Sequence, residues 1–282
     1  MSRIFLLGDS FTDNLFKNNI EFYEKGEQAG NGVYDFVKLL RNSGLKDPLH
    51  FEDYLRSWGY EVINLGEGGC SVYSIYYQFT KIDKQFREGD RIILNWTSPC
   101  RYDWIDEKGG ARTFTGGQVD ERETDKIMIH LMEQQVNRSL SYEDKEGFLK
   151  KRMIPFMSYL VNLHEKYKPI VWTPLTDISK IFENEPWYFW GISNNIFHSI
   201  IPEFAKLSIA KETKGTVDDW HYGRYGNFYA ALVFKELLDY NKDNNKTSYS
   251  KDPDLFEQIV RVIKNSKHEI EPLDKYIRTS FF

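Results

Sequence analysis

The chain has 282 residues, of which 41% are hydrophobic and 28% charged, and its formal net charge is −5. This hydrophobic fraction excludes a largely disordered chain, and the length fits one α/β domain with insertions better than two small domains. The negative charge and the lack of a basic stripe exclude a general nucleic-acid-binding protein.

The start of the sequence is not typical of a signal peptide or a transmembrane segment, because its first apolar run covers few residues and leads into polar ones. We therefore expect a cytoplasmic protein without a membrane span. The sequence does not indicate an oligomeric state. The two cysteines, Cys70 and Cys100, show no zinc-ligand spacing. They are expected to be free thiols in a reducing compartment, and whether they interact is left open.

The first predicted strand, Ile4 to Leu7, is apolar throughout, as expected of a buried strand. It ends at Gly8 and is followed at once by Asp9 and Ser10. A serine in this position lies at the carboxyl edge of a sheet, where open α/β folds keep their sites. The alternative interpretation is a capped turn without a function, since Asp and Ser are common in turns.

Periodic apolar residues predict helices and apolar runs predict strands along the rest of the chain. The first half comprises an insertion with one helix over residues 15–48, a helix from Phe51 to Trp58, strand two over Glu61–Leu65, a helix from Ile75 to Phe86, strand three over Arg91–Trp96, and an insertion over 102–146 with a hairpin-like turn at 106–110. The second half comprises a long helix over 149–167, strand four over Pro169–Thr173, an insertion over 180–214, a helix around Tyr229–Leu237, a loop over Asn241–Asp252 and a helix around Leu255–Ile263.

Two predicted loops that follow strands are candidates for binding a ligand. Glycines at 66, 68 and 69 follow strand two, where they could let backbone N–H groups approach an anion; a flexible turn is the alternative. The run from Trp187 to Trp190 consists of aromatic residues, which are more often buried in a hydrophobic core than in contact with a ligand. It follows a strand end, however, so it could also form a stacking wall for a sugar.

Three blocks of the sequence together resemble the GDSL/SGNH hydrolase superfamily. They are residues 8–13 after strand one, the pair Asn64 and Gly69 after strand two, and the pair Asp218 and His221 before a C-terminal helix. Their order and spacing agree with the family over residues 1–240, and residues 241–282 are expected to pack on the same domain as a C-terminal extension. The resemblance implies a three-layer α/β/α, flavodoxin-like fold with a mostly parallel sheet.

The resemblance also implies a catalytic triad. Ser10 would be the nucleophile and His221 the base that takes its proton, because a serine hydroxyl needs such a base at neutral pH. Asp218, three residues before His221, would orient the imidazole and stabilise its charged form; Asp219 is the competing choice. No metal or cofactor is expected.

The third family block departs from the pattern. After strand three the family has Gly-x-Asn-Asp, whereas this sequence places Asn95 and Thr97 at the positions of the Gly and the Asn. The predicted oxyanion donors are the N–H groups of Ser10 and Gly69 and the side chain of Asn95 or Thr97, with Asn95 preferred.

These residues predict a serine esterase, and among the activities of the family we favour removal of an O-acetyl group from a carbohydrate. The aromatic insertions suit a sugar better than a long acyl chain, with Trp187 and Trp190 as the expected contacts. An acyltransferase with the same triad and a non-catalytic SGNH-like binding or structural protein are the alternatives.

Overall fold

The computed structural model describes residues 3–9, 11–14, 50–97, 101–105, 111–115, 167, 169–172, 224–244 and 252–266. The strands in these ranges are β1 (Arg3–Leu7), β2 (Glu61–Asn64), β3 (Arg91–Asn95), β4 (Arg101–Ile105), β5 (Ala111–Thr115) and β6 (Ile170–Trp172). The helices are α1 (Phe51–Ser57), α2 (Val72–Asp83), α3 (Arg224–Asn244) and α4 (Pro253–Asn265). The four predicted strands and four of the predicted helices are confirmed, and apart from α3, which is longer than predicted, their ends agree within a few residues. The insertions at 15–48 and 180–214, and nearly all of the helix over 149–167, lie outside the described residues.

The chain forms an α/β fold around a parallel sheet of four strands, in the order β2-β1-β3-β6. In this sheet Phe5 pairs with Ile63 on one side and with Ile92 on the other. The interior position of β1 explains why Ile4 to Leu7 are all fully buried, as their apolar run predicted.

The two faces of the sheet are covered by different helices. Ile4 and Leu6 point into a core with α1, α3 and α4, whereas Phe5 and Leu7 point into a second core with α2. The split follows from the two-residue period of a strand. Aromatic rings fill the larger core: Phe51 lies 5.1 Å from Phe234 and 6.2 Å from Trp172, between ring centroids.

Local capping explains where the helices start and end. Ser71 begins α2 by accepting hydrogen bonds from the N–H groups of Tyr73 and Ser74, and Asp252 begins α4 in the same way. After α1 the chain turns at Gly59, whose φ of 91° lies in the left-handed region.

Two features differ from or add to the prediction. α3 continues to Asn244, so that the Asn-rich stretch predicted as a loop from residue 241 begins in the helix. The hairpin predicted around 106–110 is supported by its flanking strands, because β4 and β5 pair antiparallel with Ile105 opposite Ala111. Among the described helices, none combines the length and the apolar character needed to cross a membrane.

Candidate active site

After β1 the chain forms a turn, of which residues 8–9 and 11–14 are described; we call these residues the β1 turn. The carbonyl of Asp9 accepts hydrogen bonds from the N–H groups of Thr12 and Asp13, both at 2.9 Å. The Asp9 carboxylate accepts a third from the Phe11 N–H, at 3.1 Å. A short polar side chain that bonds to nearby backbone in this way stabilises a turn in place of a longer strand.

The Asp9 carboxylate also joins the β1 turn to the end of β3. Its Oδ1 accepts a hydrogen bond from Asn95 Nδ2 at 2.5 Å, and its Oδ2 accepts one from Thr97 Oγ1 at 2.8 Å. All three side chains are at most 1% exposed. Both residues that the sequence offered as oxyanion donors therefore bind the same carboxylate.

Residues 66–69, which we call the glycine loop, dock on the β1 turn. The Glu67 N–H donates to the carbonyl of Gly8 at 3.1 Å, and the Gly68 N–H donates to the carboxylate of Asp13 at 3.0 Å. Two N–H groups of this loop thus bind acceptors of the β1 turn, which fixes the loop against that turn; its predicted role toward a bound anion stays a prediction.

The glycines at the two ends of this loop have different roles. A Cβ on Gly66 would lie 2.8 Å from backbone atoms of Thr12 and Asp13, so that only a glycine allows this close approach. Gly69 has a φ of +78° and open space where its Cβ would be. Among the described residues, its N–H has no hydrogen-bond partner. That N–H therefore remains available to a ligand.

Asn64 fixes the start of the glycine loop. Its Oδ1 accepts a hydrogen bond from the Gly66 N–H at 2.9 Å. Its Nδ2 donates to the Thr12 carbonyl at 2.8 Å and to the Glu52 carboxylate at 2.7 Å. Burial raises the pKa of Glu52, but the hydrogen bonds from Asn64 and Arg56 outweigh it and leave that pKa below its usual value.

Gln78 of α2 binds the backbone of Gly8 from the opposite side. The Gly8 N–H donates to Gln78 Oε1 at 2.9 Å, and Gln78 Nε2 donates to the Gly8 carbonyl at 3.1 Å. The thiol of Cys70 donates to the same carbonyl at 3.1 Å. Because Gln78 is 2% exposed, its amide depends on these partners for its hydrogen bonds.

His50 lies beside the β1 turn but is held in a structural role. Its Nδ1 accepts a hydrogen bond from the Glu52 N–H and so caps α1, which leaves the proton on Nε2, 3.2 Å from the Phe11 carbonyl. Burial lowers the pKa of the imidazole, because it disfavours the charged form. With both ring nitrogens engaged, His50 does not compete with His221 for the role of base.

The structure brings together only part of the predicted site. Gly69, Asn95 and Thr97 lie around the β1 turn at the carboxyl edge of the sheet, together with Asn64. The remaining predicted site residues, Ser10, Asp218, His221, Trp187 and Trp190, lie outside the described residues. Their roles stay predictions. Cys70 is a buried free thiol, and Cys100 is likewise outside the described part of the chain.

Three residues of this edge were missed by the sequence analysis: His50, Glu52 and Gln78. A signal existed for Gln78, because it falls between Ile75 and Phe79 on the face of α2 that points to the core. A polar residue on such a face requires a buried partner. Neither His50 nor Glu52 carried a comparable pattern, since their partners are distant in sequence or belong to the backbone.

No three His, Cys, Asp or Glu side chains within the described ranges converge in a way that could hold a metal ion. In comparisons with known proteins, no protein-family model, no curated protein and no solved structure matches the chain. The fold and the site thus define an α/β protein with a parallel sheet and a polar cluster at its carboxyl edge. The resemblance to SGNH hydrolases rests on the sequence blocks alone.

Proposed function

We propose that this chain is a serine hydrolase of the SGNH type, which cleaves an ester through an acyl-enzyme on Ser10. One observation carries the proposal: the β1 turn, the glycine loop and the end of β3 are tied together at the carboxyl edge of the sheet. These are the segments that hold the first three family blocks. Their links are the bonds from Asn95 to Asp9 and from Gly68 to Asp13. The strand order β2-β1-β3 also agrees with a flavodoxin-like sheet.

In this proposal Ser10 attacks the ester carbonyl while His221 takes the proton of its hydroxyl. Asp218 orients the imidazole and stabilises the charge that it gains. His221 then gives the proton to the leaving alcohol, and the acyl group stays on Ser10. A water molecule, activated by the same imidazole, releases the acid and restores the serine.

The described contacts support two of the three oxyanion donors. The N–H of Gly69 has no partner among the described residues, so it can bind a developing negative charge at no cost in other hydrogen bonds. The Ser10 N–H shares its peptide bond with the Asp9 carbonyl, which accepts two hydrogen bonds. Donation to that carbonyl polarises the peptide and strengthens its N–H as a donor.

For the third donor, the contacts favour Asn95 over Thr97. The Thr97 hydroxyl has a single hydrogen, and it is donated to Asp9. The Asn95 amide nitrogen has two hydrogens, of which one goes to Asp9. Asn95 thus keeps a hydrogen with which to bind an oxyanion, although the side chain is buried and needs a path to the substrate.

The substrate that we propose is the O-acetyl ester of a carbohydrate. Trp187 and Trp190 are its expected contacts, and the described part of the chain adds a second aromatic surface. Tyr73, Tyr76 and Tyr77 of α2 are 57%, 45% and 61% exposed, and α2 begins directly after the glycine loop. Exposed aromatic rings with polar rims match the alternating faces of a sugar.

The rival function is a binding protein that kept the fold without the chemistry. The observation that favours it is the commitment of Thr97, which takes the place of the family asparagine, to the Asp9 carboxylate. A fluorophosphonate probe separates the two functions, because it reacts only with an activated serine.

We expect the parent protein to be labelled, Ser10→Ala to remain unlabelled, and Ser57→Ala, which removes an exposed serine of α1, to label as the parent does. Asp218→Asn should retain more activity than His221→Ala, since the acid only assists the base. Equal labelling of the parent and Ser10→Ala contradicts the proposal. Acetyl transfer to a sugar in preference to water identifies an acyltransferase instead.

A further inference from the structure

The backbone of Gly8 is held from two sides at the point where β1 ends. The ladder to β3 stops with Leu7 opposite Leu94, so that Gly8 is the first residue past the paired part of β1. On one side, a Cβ at this position would lie 2.6 Å from both Asn95 Cβ and Thr12 Oγ1. The peptide is therefore in close contact with the end of β3 and cannot move in that direction.

On the other side, the Gln78 amide binds both polar groups of Gly8. It accepts from the N–H at 2.9 Å and donates to the carbonyl at 3.1 Å, and both bonds are buried. The carbonyl has two further donors, the Glu67 N–H and the Cys70 thiol. For the N–H, Gln78 Oε1 is the acceptor that the described residues provide.

From this geometry we infer that Gln78 is a positioning residue, which sets the place of Ser10 by fixing the backbone two residues before it. The inference rests on the proposed function. Packing alone does not account for a glutamine on this face of α2, because its neighbours Ile75, Phe79 and Ile82 are apolar and buried. Burial of an amide among them costs free energy unless its hydrogen bonds are made, and Gly8 makes them.

The expected consequence is a loss of catalytic rate rather than of binding. A reacting atom displaced by about 1 Å can lose on the order of a hundredfold in rate, because the chemistry requires a near-attack geometry. The Gly8 peptide is two residues from Ser10, so a small shift there is passed along the chain. Substrate affinity is set by other groups and should change little.

The test compares Gln78→Met with Ile82→Val in a small aryl acetate assay, with Ser10→Ala as the reference for background. Methionine fills the same volume without hydrogen bonds, and Ile82→Val weakens the same core without touching Gly8. We expect Gln78→Met to lower kcat by about ten- to a hundredfold with KM nearly unchanged, while Ile82→Val keeps the parent kcat.

A second variant covers the case in which Gln78→Met does not fold. Gln78→Glu has the same shape and can still accept from the Gly8 N–H, but its ionised form places an oxygen against the Gly8 carbonyl. Its activity relative to the parent should rise as the pH falls, because a protonated carboxyl group can donate to that carbonyl. If Gln78 had only a structural role, the activity of Gln78→Glu relative to the parent would not change with pH once both are corrected for the fraction of folded protein.

The outcomes separate the inference from the function on which it rests. Parent kcat in both Gln78 variants, with Ser10→Ala inactive, overturns the positioning role and leaves the serine hydrolase standing. Activity in Ser10→Ala equal to that of the parent overturns the proposed function, and the role of Gln78 with it. Loss of kcat in Ile82→Val equal to that in Gln78→Met also overturns the inference, because it assigns the loss to the core.

Discussion

The carboxylate of Asp9 and the side-chain amide of Asn95 form a 2.5 Å hydrogen bond between two strand ends that are 86 residues apart in sequence. Both groups are buried, and the same carboxylate accepts from Thr97 and from the backbone N–H of Phe11. Asp9 therefore links the β1 turn to β3, and the candidate nucleophile, Ser10, is the next residue in the chain. Its role in this proposal is to hold the site together rather than to take part in the reaction.

Removal of this carboxylate should be costly. We expect Asp9→Ala to lower the free energy of unfolding by about 2–4 kcal/mol, because three donors lose a buried acceptor at once. The measurement is the urea midpoint at neutral pH. Glu88→Ala, which removes an exposed carboxylate from the turn before β3, serves as the control and should change the free energy by less than about 0.5 kcal/mol. Similar values for the two variants contradict the linking role of Asp9.

The close approach at Gly66 gives a second prediction, which distinguishes a loss of stability from a loss of activity at the site. Gly66→Ala should separate the glycine loop from the β1 turn, because its Cβ would lie 2.8 Å from the backbone atoms that join Thr12 and Asp13. We expect a loss of stability of about 1–3 kcal/mol together with a marked loss of kcat.

Gly59→Ala is the matched control for this variant. Gly59 has a φ of +91° with open space around it, so alanine brings backbone strain of about 1–2 kcal/mol but no collision. It lies at the end of α1, away from the glycine loop. We expect it to lose stability to a similar extent and to keep its kcat. Parallel losses of kcat in both variants, measured with an aryl acetate, assign the effect to the fold.

The sheet was predictable because its signals are local. Ile4 to Leu7 form an uninterrupted apolar run, which in an α/β protein indicates a strand covered on both faces, and the glycine at 59 ends α1 by its own backbone preference. The end of α3 was predicted too early, because the Asn, Lys and Asp residues at 241–244 have lower helix propensity or strong polarity, which also characterise loops.

The candidate site was predictable only as residue types. The sequence indicated a polar turn, a glycine loop and a strand end, but not that Asn95 and Thr97 both bind Asp9. Hydrogen bonds between side chains far apart in sequence leave no periodic pattern. The structure added Gln78, Glu52 and His50 for the same reason, since each is defined by what it contacts rather than by its spacing.

His50 gives a prediction about pH. Burial lowers its pKa in the folded protein below the unfolded value of 6.5, and the hydrogen bond to the Phe11 carbonyl and the nearby carboxylates of Glu52 and Asp53 offset only part of that effect. The unfolded chain therefore binds more protons than the folded one just below pH 6.5, so that the folded protein loses stability as the pH falls through this window. The slope for one group is at most about 1.4 kcal/mol per pH unit.

The measurement compares the unfolding free energies of the parent and His50→Asn at about pH 7.5 and about pH 5.5, above the usual pKa of a glutamate. Asparagine can still cap α1 but cannot titrate. The other histidines are common to both proteins, so the difference reports His50 alone. We expect a smaller pH dependence in His50→Asn, and an equal dependence in the two proteins rules out a contribution from His50.

The last prediction concerns the saccharide. If the wall of the site is formed by Trp187, then Trp187→Ala should raise KM for an acetylated oligosaccharide by about tenfold while leaving KM for a small aryl acetate unchanged, because only the longer substrate reaches the wall. Tyr73→Ala tests the described surface of α2 in the same assay; Tyr73 lies in the first turn of α2, after the glycine loop, and is 57% exposed.

Tyr77→Ala is the matched control on α2, since Tyr77 is similarly exposed but lies one turn further from the glycine loop and packs against Lys81. If a saccharide extends from the site along α2, its binding should be weakened more by Tyr73→Ala than by Tyr77→Ala.

Equal losses on both substrates in Trp187→Ala indicate that this aromatic residue belongs to the core. That result leaves the ester class intact and removes the support for a sugar, because binding and chemistry would then have failed together.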